Sequence, residues 1–402
     1  MKKNFVLLVL ALGILAPKIR FIDFSILVFF LLNIFMRTNS GFGVHFSRRY
    51  FTIIFFWLLL IVWGLSIFSL SGSFNYVLIL KPIRQIIMLS LMFSIFRRTD
   101  LEFTDVCKII IIAALVNTIV IYLQLYGHNV LGFQGFMVPA SFNIDLDVSF
   151  RKPGLFSSYP HAGLLSLIAI ICLFNFMKSI KATYFVLILT CLTTSLILTS
   201  RTALVLSLLP FFIFFISAFK SKTAFVKVTF FLIIGVWIIF SFIAILPEQT
   251  FNVAFEMFLN FSKTGSFLTS SQESLNDSYM LPKNLTTLLF GNGLQNRTDI
   301  DTNIDDGYQS LLYGGGLLYL SITLILFFIY FSITFSSLKN RLHKTTIYMI
   351  YFTVLIANYK VDCMFSRVIS DVLVLFLALS LNVKTVSVLN NPFKNEFQNS
   401  TN

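Results

Sequence analysis

The sequence predicts an all-α protein: a polytopic transmembrane helical bundle of about twelve spans, with a long external loop containing short helices. Three observations predict it. Hydrophobic residues make up 57% of the 402 residues and charged residues only 12%, with a mean hydropathy of +0.87; water-soluble domains carry far more charge and far fewer apolar runs. Apolar runs near the length of a bilayer crossing recur along the whole chain. The loops between them alternate between Lys/Arg-rich and basic-poor, the bias that fixes orientation in a membrane. The net charge of +13 therefore reflects topology and not a nucleic-acid surface.

Taken in order, the predicted spans cover 4–16, 21–36, 50–70, 76–96, 107–126, 161–178, 183–199, 201–219, 228–246, 308–334, 345–359 and 366–383. The first follows Met1-Lys2-Lys3 and could pass for a secretory signal, but Ile14 occupies the position where cleavage needs a small residue. It is read as a short first span, with an eleven-span arrangement in which 4–16 does not cross as the competitor. The apolar run 183–219 would overshoot a bilayer, so it is divided at Thr199-Ser200-Arg201. With both termini cytoplasmic, the inner segments hold Lys2, Lys3, Arg37, Arg48, Arg49, Arg97, Arg98, Lys178, Lys181, Lys220, Lys222, Lys227, Lys339, Arg341, Lys344, Lys384 and Lys394. The outer segments hold fewer basic residues over far more chain.

The chain thus reads as a single integral-membrane domain, residues 1–402, with external loops at 127–160 and 247–306. Long loops without regular structure are uncommon unless functional. The second loop is acidic and opens with Phe251, Ala254, Phe255, Phe258 and Leu259 at helical spacing, which fits either an interfacial helix or a packed lid. Four scattered cysteines (Cys107, Cys172, Cys191, Cys363) form no CxxC or metal spacing. No nucleotide-binding glycine fingerprint is present, so no self-contained ATP-driven pump is indicated.

Chemistry is sought where charge resists the bilayer, since a buried Arg or Lys costs about 2.5–3.5 kcal/mol near its centre. Lys81, Arg84 and Gln85 share one face of the fourth span, at i, i+3 and i+4. They read either as snorkelling side chains or as a cationic floor beneath an external cavity. Arg151 opens Arg151-Lys152-Pro153-Gly154-Leu155-Phe156 just before the sixth span, and His161 follows at that span's start. Arg201 sits in the Thr199–Thr202 turn, Arg297 closes the long loop, and Arg367 starts the last span four residues before Asp371, a spacing that suits a structural pair. Singly, each outer Arg is topological. Together, Arg84, Arg151, Arg201, Arg297 and Arg367 defy the inside bias on one face, and guanidinium forks suit phosphate oxygens. Asp299 and Asp301 read as solvated acids and lack the order of a calcium loop. Asp305 and Asp306 stand at the membrane edge before Tyr308 and Gly314-Gly315-Gly316, where a carboxylate can accept a proton from a sugar hydroxyl.

Over roughly 145–335 the chain resembles the integral-membrane O-antigen polymerase and ligase superfamily. The resemblance rests on Arg151-x-x-Gly154-x-Phe156, the Thr199-Ser200-Arg201-Thr202 turn, Phe290-Gly291-x-Gly293, and the Asp306-Gly307-Tyr308 segment leading to glycines. It implies a metal-independent glycosyltransferase of the bacterial inner membrane, without a cofactor. The implied donor is an undecaprenyl-diphosphate-linked oligosaccharide, and the implied partners are membrane lipid, a chain-length regulator and a flippase. Ligases of the superfamily usually carry a His in the stretch matching 301–308, which this chain lacks. The expectation is therefore a polysaccharide polymerase. Arg151, Arg201, Arg297, Arg84 and Arg367 would hold the diphosphate, Lys81 and Tyr308 would lie near it, and Asp306 or His161 would activate the acceptor. A ligase of the same superfamily, and a repeat-unit flippase, are the rivals; the long outer loop and lack of internal symmetry weigh against the transporter.

Overall fold

A computed structural model of the chain describes residues 3–19, 22–37, 47–71, 76–131, 153–156, 158–177, 179–218, 233, 251–252, 255–266, 281–282, 284–293 and 307–389. Within them the protein is all-α apart from one short ladder, β1 (Lys18–Ile19) paired antiparallel to β2 (Ile22–Asp23). The helices are α1 (Lys3–Leu15), α2 (Phe24–Arg37), α3 (Arg48–Ser71), α4 (Tyr76–Arg97), α5 (Phe103–Leu131), α6 (Tyr159–Leu173), α7 (Ala182–Thr199) and α8 (Arg201–Ala218). They continue as α9 (Glu256–Thr264), α10 (Leu285–Phe290), α11 (Gly307–Ser337), α12 (Arg341–Ala357) and α13 (Arg367–Leu389). A helix thus lies over each apolar run foreseen in the sequence except 228–246, of which only residue 233 is among the described residues; most of both long loops also falls outside them.

Among the described residues six helices are long and apolar enough to cross a membrane: α3, α4, α5, α6 with its 3-10 extension to Phe176, α7 and α11. Others are shorter. α1 has 13 residues, about 20 Å at 1.5 Å per residue, against a hydrocarbon core of roughly 30 Å. The second expected span also begins later than position 21, because Ile22 and Asp23 belong to the β-ladder that turns α1 into α2. α1 is nevertheless integrated: Val6, Leu7, Leu10, Ala11, Ile14 and Leu15 are buried, and Phe29 of α2 packs over Gly13 where a Cβ would collide with the ring.

Burial sorts the helices into a centre and a rim. α6 is 78% buried over its crossing window, whereas α3 is 28% buried. α6 packs against α5, α7, α8, α12 and α13, and α13 buries an unbroken run from Val368 to Leu379. The rim helices leave Phe51, Phe55, Leu58 and Val62 of α3 and Leu208 and Phe212 of α8 exposed, as apolar faces turned to lipid would be.

α11 is two segments joined at Gly316, whose φ of 74° and ψ of −179° are non-helical. Its 31 residues would reach about 46 Å as one rod, well beyond a bilayer core. The break reorients the chain at the Gly314-Gly315-Gly316 string.

The two ends of the bundle differ. One gathers Lys3, which pairs with Asp105 at 2.6 Å, together with Arg98, bonded to Asn33, and His343, stacked on Phe103. The other end gathers the α1–α2 turn and the starts of α4, α6, α8, α11 and α13.

Candidate functional site

This second end is assembled from turns that the apolar helices hold in place. Before α6, the Pro153–Phe156 turn is buried against α5. The side chain of Gln124 pairs with the Gly154 peptide as a second peptide would. Its Nε2 donates to the Gly154 carbonyl and its Oε1 accepts the Gly154 N–H, each at 2.9 Å. Two turns back on the same helix face, Asn117 Oδ1 accepts the Leu155 N–H at 2.8 Å. Gly154 has φ of 68°, and a Cβ there would overlap the Asn117 amide. Phe156 is 2% exposed. The glycine and phenylalanine of the Arg-x-x-Gly-x-Phe string are thus the parts that seat it in the bundle. Arg151 and Lys152 lie outside the described residues.

The division at Thr199-Ser200-Arg201 is a helix cap. Ser200 is extended (φ −144°, ψ 114°) and its Oγ accepts the Ala203 N–H, closing the first turn of α8. α6 comes within contact of this turn at Gly163, where a Cβ would overlap the Ser200 side chain. His161 lies two residues earlier, in the first turn of the same helix. Arg201 pairs with Glu256 in the first turn of α9, and Phe255 packs on the apolar patch of Ile121, Ile197 and Leu198. The start of the acidic loop therefore docks on the α7–α8 turn.

The end of that loop is clasped to α11. Breaking a helix strands its last carbonyls, and here three of them find donors. Asn292 N–H donates to Tyr313 at 2.8 Å, Gly293 N–H to Gly314 at 3.2 Å, and the Trp63 indole to Gly315 at 2.9 Å. Phe290 stacks on Trp63 with ring centroids 5.9 Å apart. Gly291 (φ 79°) and Gly316 (φ 74°) face each other's backbone so closely that neither tolerates a Cβ. The Phe-Gly-x-Gly string is a backbone clasp. Gly307 then packs on Asn358 at the end of α12, and the Tyr308 hydroxyl donates to the Leu355 carbonyl at 2.7 Å. Arg297, Asp299, Asp301, Asp305 and Asp306 lie outside the described residues, so the clasp and Gly307 mark only the two ends of that segment.

The loop from Asn358 to Ser366 links these pieces. Asn358 Oδ1 accepts the N–H groups of Cys363 and Met364, and Asp362 Oδ1 accepts that of Phe365. The Asp362 carbonyl lies 2.9 Å from His161 Nε2, while its carboxylate binds Lys81 at 2.6 Å. A carbonyl only accepts, so Nε2 carries the hydrogen and Nδ1 of a neutral ring holds the free lone pair.

One turn along α4 lies a second ionic cluster. Arg84 Nε donates to Asp23 at 2.6 Å, and its two Nη atoms donate to the two oxygens of Asp371, both at 2.8 Å. Gln85 reinforces the same seam through Ser370 at 2.6 Å. Asp371 is wholly buried. Arg367 does not take it, as the i, i+4 spacing foresaw; the Arg367 guanidinium instead approaches Asp23, at 3.8 Å. Burial pushes the Asp23 carboxyl up, but the adjoining Arg84, the Arg367 charge and the hydrogen bond from Ser25 outweigh it and hold it below the usual carboxylate value. With Lys81 and Asp362, three cations face three carboxylates, so the group is neutral.

Of the residues singled out in the sequence, Lys81, His161 and, one turn away, Arg84 and Arg367 come together around the α4–α13 seam. Arg201, at the start of α8, pairs with Glu256 instead, and Tyr308 anchors the start of α11. Sequence reasoning missed Asn117, Gln124, Asp23, Glu256 and Asp362. Only the Asn117/Gln124 pair carried a signal, as two amides seven apart within an apolar run. No family model matches the chain, and no curated protein matches it.

Proposed function

We propose that the chain is a polysaccharide polymerase of the bacterial inner membrane. On this reading twelve spans place both termini in the cytoplasm, and undecaprenyl-diphosphate-linked repeat units are joined on the external face. What supports the reading is one arrangement. The Arg-x-x-Gly-x-Phe turn, the Thr-Ser-Arg-Thr turn, the glycine clasp and the Asp306-Gly307-Tyr308 exit are separate strings in the sequence. Their described parts, Gly154–Phe156, Thr199–Thr202, Phe290–Gly293 and Gly307–Tyr308, lie at the same end of the bundle.

Arg151, Arg201 and Arg297 are assigned to the donor diphosphate. For Arg201 the phosphate oxygens compete with the Glu256 carboxylate for one fork. Arg84 and Arg367, engaged by Asp23 and Asp371, are assigned to the neutral floor below, with Lys81 at its rim. His161 Nδ1 or the Asp306 carboxylate takes the proton from an acceptor sugar hydroxyl as that oxygen attacks the donor's anomeric carbon. The bond from that carbon to the diphosphate oxygen breaks, and its electron pair leaves on the diphosphate. The guanidinium charges then stabilise the diphosphate more strongly than they did the ester, which is the catalytic contribution.

The test is the polysaccharide made by cells whose only copy is Arg151→Ala or Arg201→Ala. Both variants are expected to lose long chains and accumulate single repeat units on the outer leaflet. Normal ladders from both refute the assignment. Polymer left unattached to its final acceptor would identify a ligase, and repeat units retained on the inner leaflet a flippase.

A further inference from the structure

Asp362 touches both a cation and the proposed base, through different atoms. Its carboxylate Oδ2 holds Lys81 at 2.6 Å, its Oδ1 accepts the Phe365 N–H, and its carbonyl meets His161 Nε2 at 2.9 Å. Asn358 fixes the same loop by accepting two N–H groups with one oxygen. The peptide plane that presents the carbonyl is thus pinned on both sides. Lys81 comes from a different helix, α4, which is itself locked to α13 by Arg84–Asp371 and Gln85–Ser370. His161 has little freedom of its own, since it begins a helix whose following residues, Ala162 to Leu173, are all buried.

We propose that Lys81 and Asp362 form a positioning clamp for His161: the ion pair fixes the 358–366 loop, and the loop carbonyl fixes the imidazole with Nδ1 directed away from it as the proton acceptor. Neither clamp residue touches substrate. The catalytic part of this inference rests on the reading of His161 as the base, while the clamp itself stands on the geometry alone. Its consequence is specific. Breaking the ion pair frees the carbonyl, and with it the imidazole, without removing any group that binds the donor. A base misplaced by about 1 Å costs on the order of 100-fold in rate, so the loss falls on kcat and not on KM.

The variants are Lys81→Met, Asp362→Asn, Lys81→Arg and His161→Ala, each in the full-length protein and checked for monodispersity in detergent. Asp362→Asn keeps the oxygen that accepts Phe365 N–H and removes only the charge. The first readout needs no activity: the rate at which diethyl pyrocarbonate modifies His161, measured by mass spectrometry on the purified protein. It is expected to rise several-fold in Lys81→Met and in Asp362→Asn and to stay at the wild-type value in Lys81→Arg. The second readout uses lipid-linked repeat units extracted from cells lacking this chain, supplied to proteoliposomes. There, Lys81→Met and Asp362→Asn are expected to lower kcat by about 10- to 100-fold with KM unchanged, and to cause no further loss in a His161→Ala background. Unchanged labelling in both clamp variants overturns the clamp whatever the kinetics. Labelling that rises while both variants lose activity additively with His161→Ala removes the clamp's link to catalysis. If the wild type elongates nothing from the extract, the polymerase reading fails, and the labelling still decides the clamp.

Discussion

Replacing Asp371 by Ala should expose how much the buried seam between α4 and α13 depends on charge pairing. Asp371 is fully buried and takes two of the three hydrogen bonds made by the Arg84 guanidinium. A hydrogen bond to a charged group contributes about 1.5–3 kcal/mol, so two give roughly 3–6 kcal/mol. Stranding one partner of a buried pair costs about 3–5 kcal/mol by a separate route. Asp23 remains on Nε at 2.6 Å and keeps part of the compensation, which places the expected loss near the lower end, about 3–4 kcal/mol. The double variant Arg84→Met/Asp371→Leu removes both charges and fills similar volume, and such replacements are often close to neutral. Reversible unfolding in mixed detergent micelles, followed by tryptophan fluorescence and applied also to Arg84→Met and Asp371→Leu singly, gives all the values for a double-mutant cycle. The double variant should be more stable than the sum of the singles by about 2–3 kcal/mol. Additive losses, or an Asp371→Ala variant as stable as wild type, would refute the reasoning.

Three further outcomes are expected. Asp23 has a folded-state pKa below its ordinary 3.8, so its ion pairs stabilise the protein fully above that value, and this contribution is lost as pH falls through the lower folded one. Acid unfolding curves should therefore show a step below pH 3.8 that Asp23→Asn abolishes. Gln124→Leu leaves both the N–H and the carbonyl of Gly154 without their partner, at a cost of about 1–3 kcal/mol for each group. Gly154→Ala should also destabilise through its positive φ and the overlap with Asn117; wild-type melting temperatures for both would contradict the anchoring of this turn. Glu256→Gln removes the carboxylate that competes for Arg201, so KM for the lipid-linked donor should fall; a rise would mean that Glu256 supports the site instead.

The helices were legible because their apolar runs are long and some of their ends carry polar markers, such as Ser200, whereas the break at Gly316 inside the run 308–334 was not foreseen. The α1–α2 ladder was not, since two-residue strands such as Lys18–Ile19 leave no periodicity to read. Spacing within one helix suggested Arg367 with Asp371, but Arg84 can present two parallel donors to both oxygens, and that bidentate geometry prevails. The strings around Gly154 and Gly291 stood out in the sequence, whereas their physical roles depended on partners far along the chain: Gln124 and Asn117 for one, Trp63 and Tyr313 for the other. The hold on His161 comes from a backbone carbonyl 201 residues away, and a main-chain atom leaves no trace in residue identity.

The central claim is that this end of the bundle transfers one lipid-linked glycan onto another. It is tested most directly by reconstituting the purified chain in liposomes with lipid-linked repeat units from cells lacking it, then resolving the glycan products by length. A ladder of multiples, with one polyprenyl diphosphate released for each bond formed, and its loss in Arg201→Ala, is the predicted result. Repeat units that stay single in the presence of stable wild-type protein would contradict it.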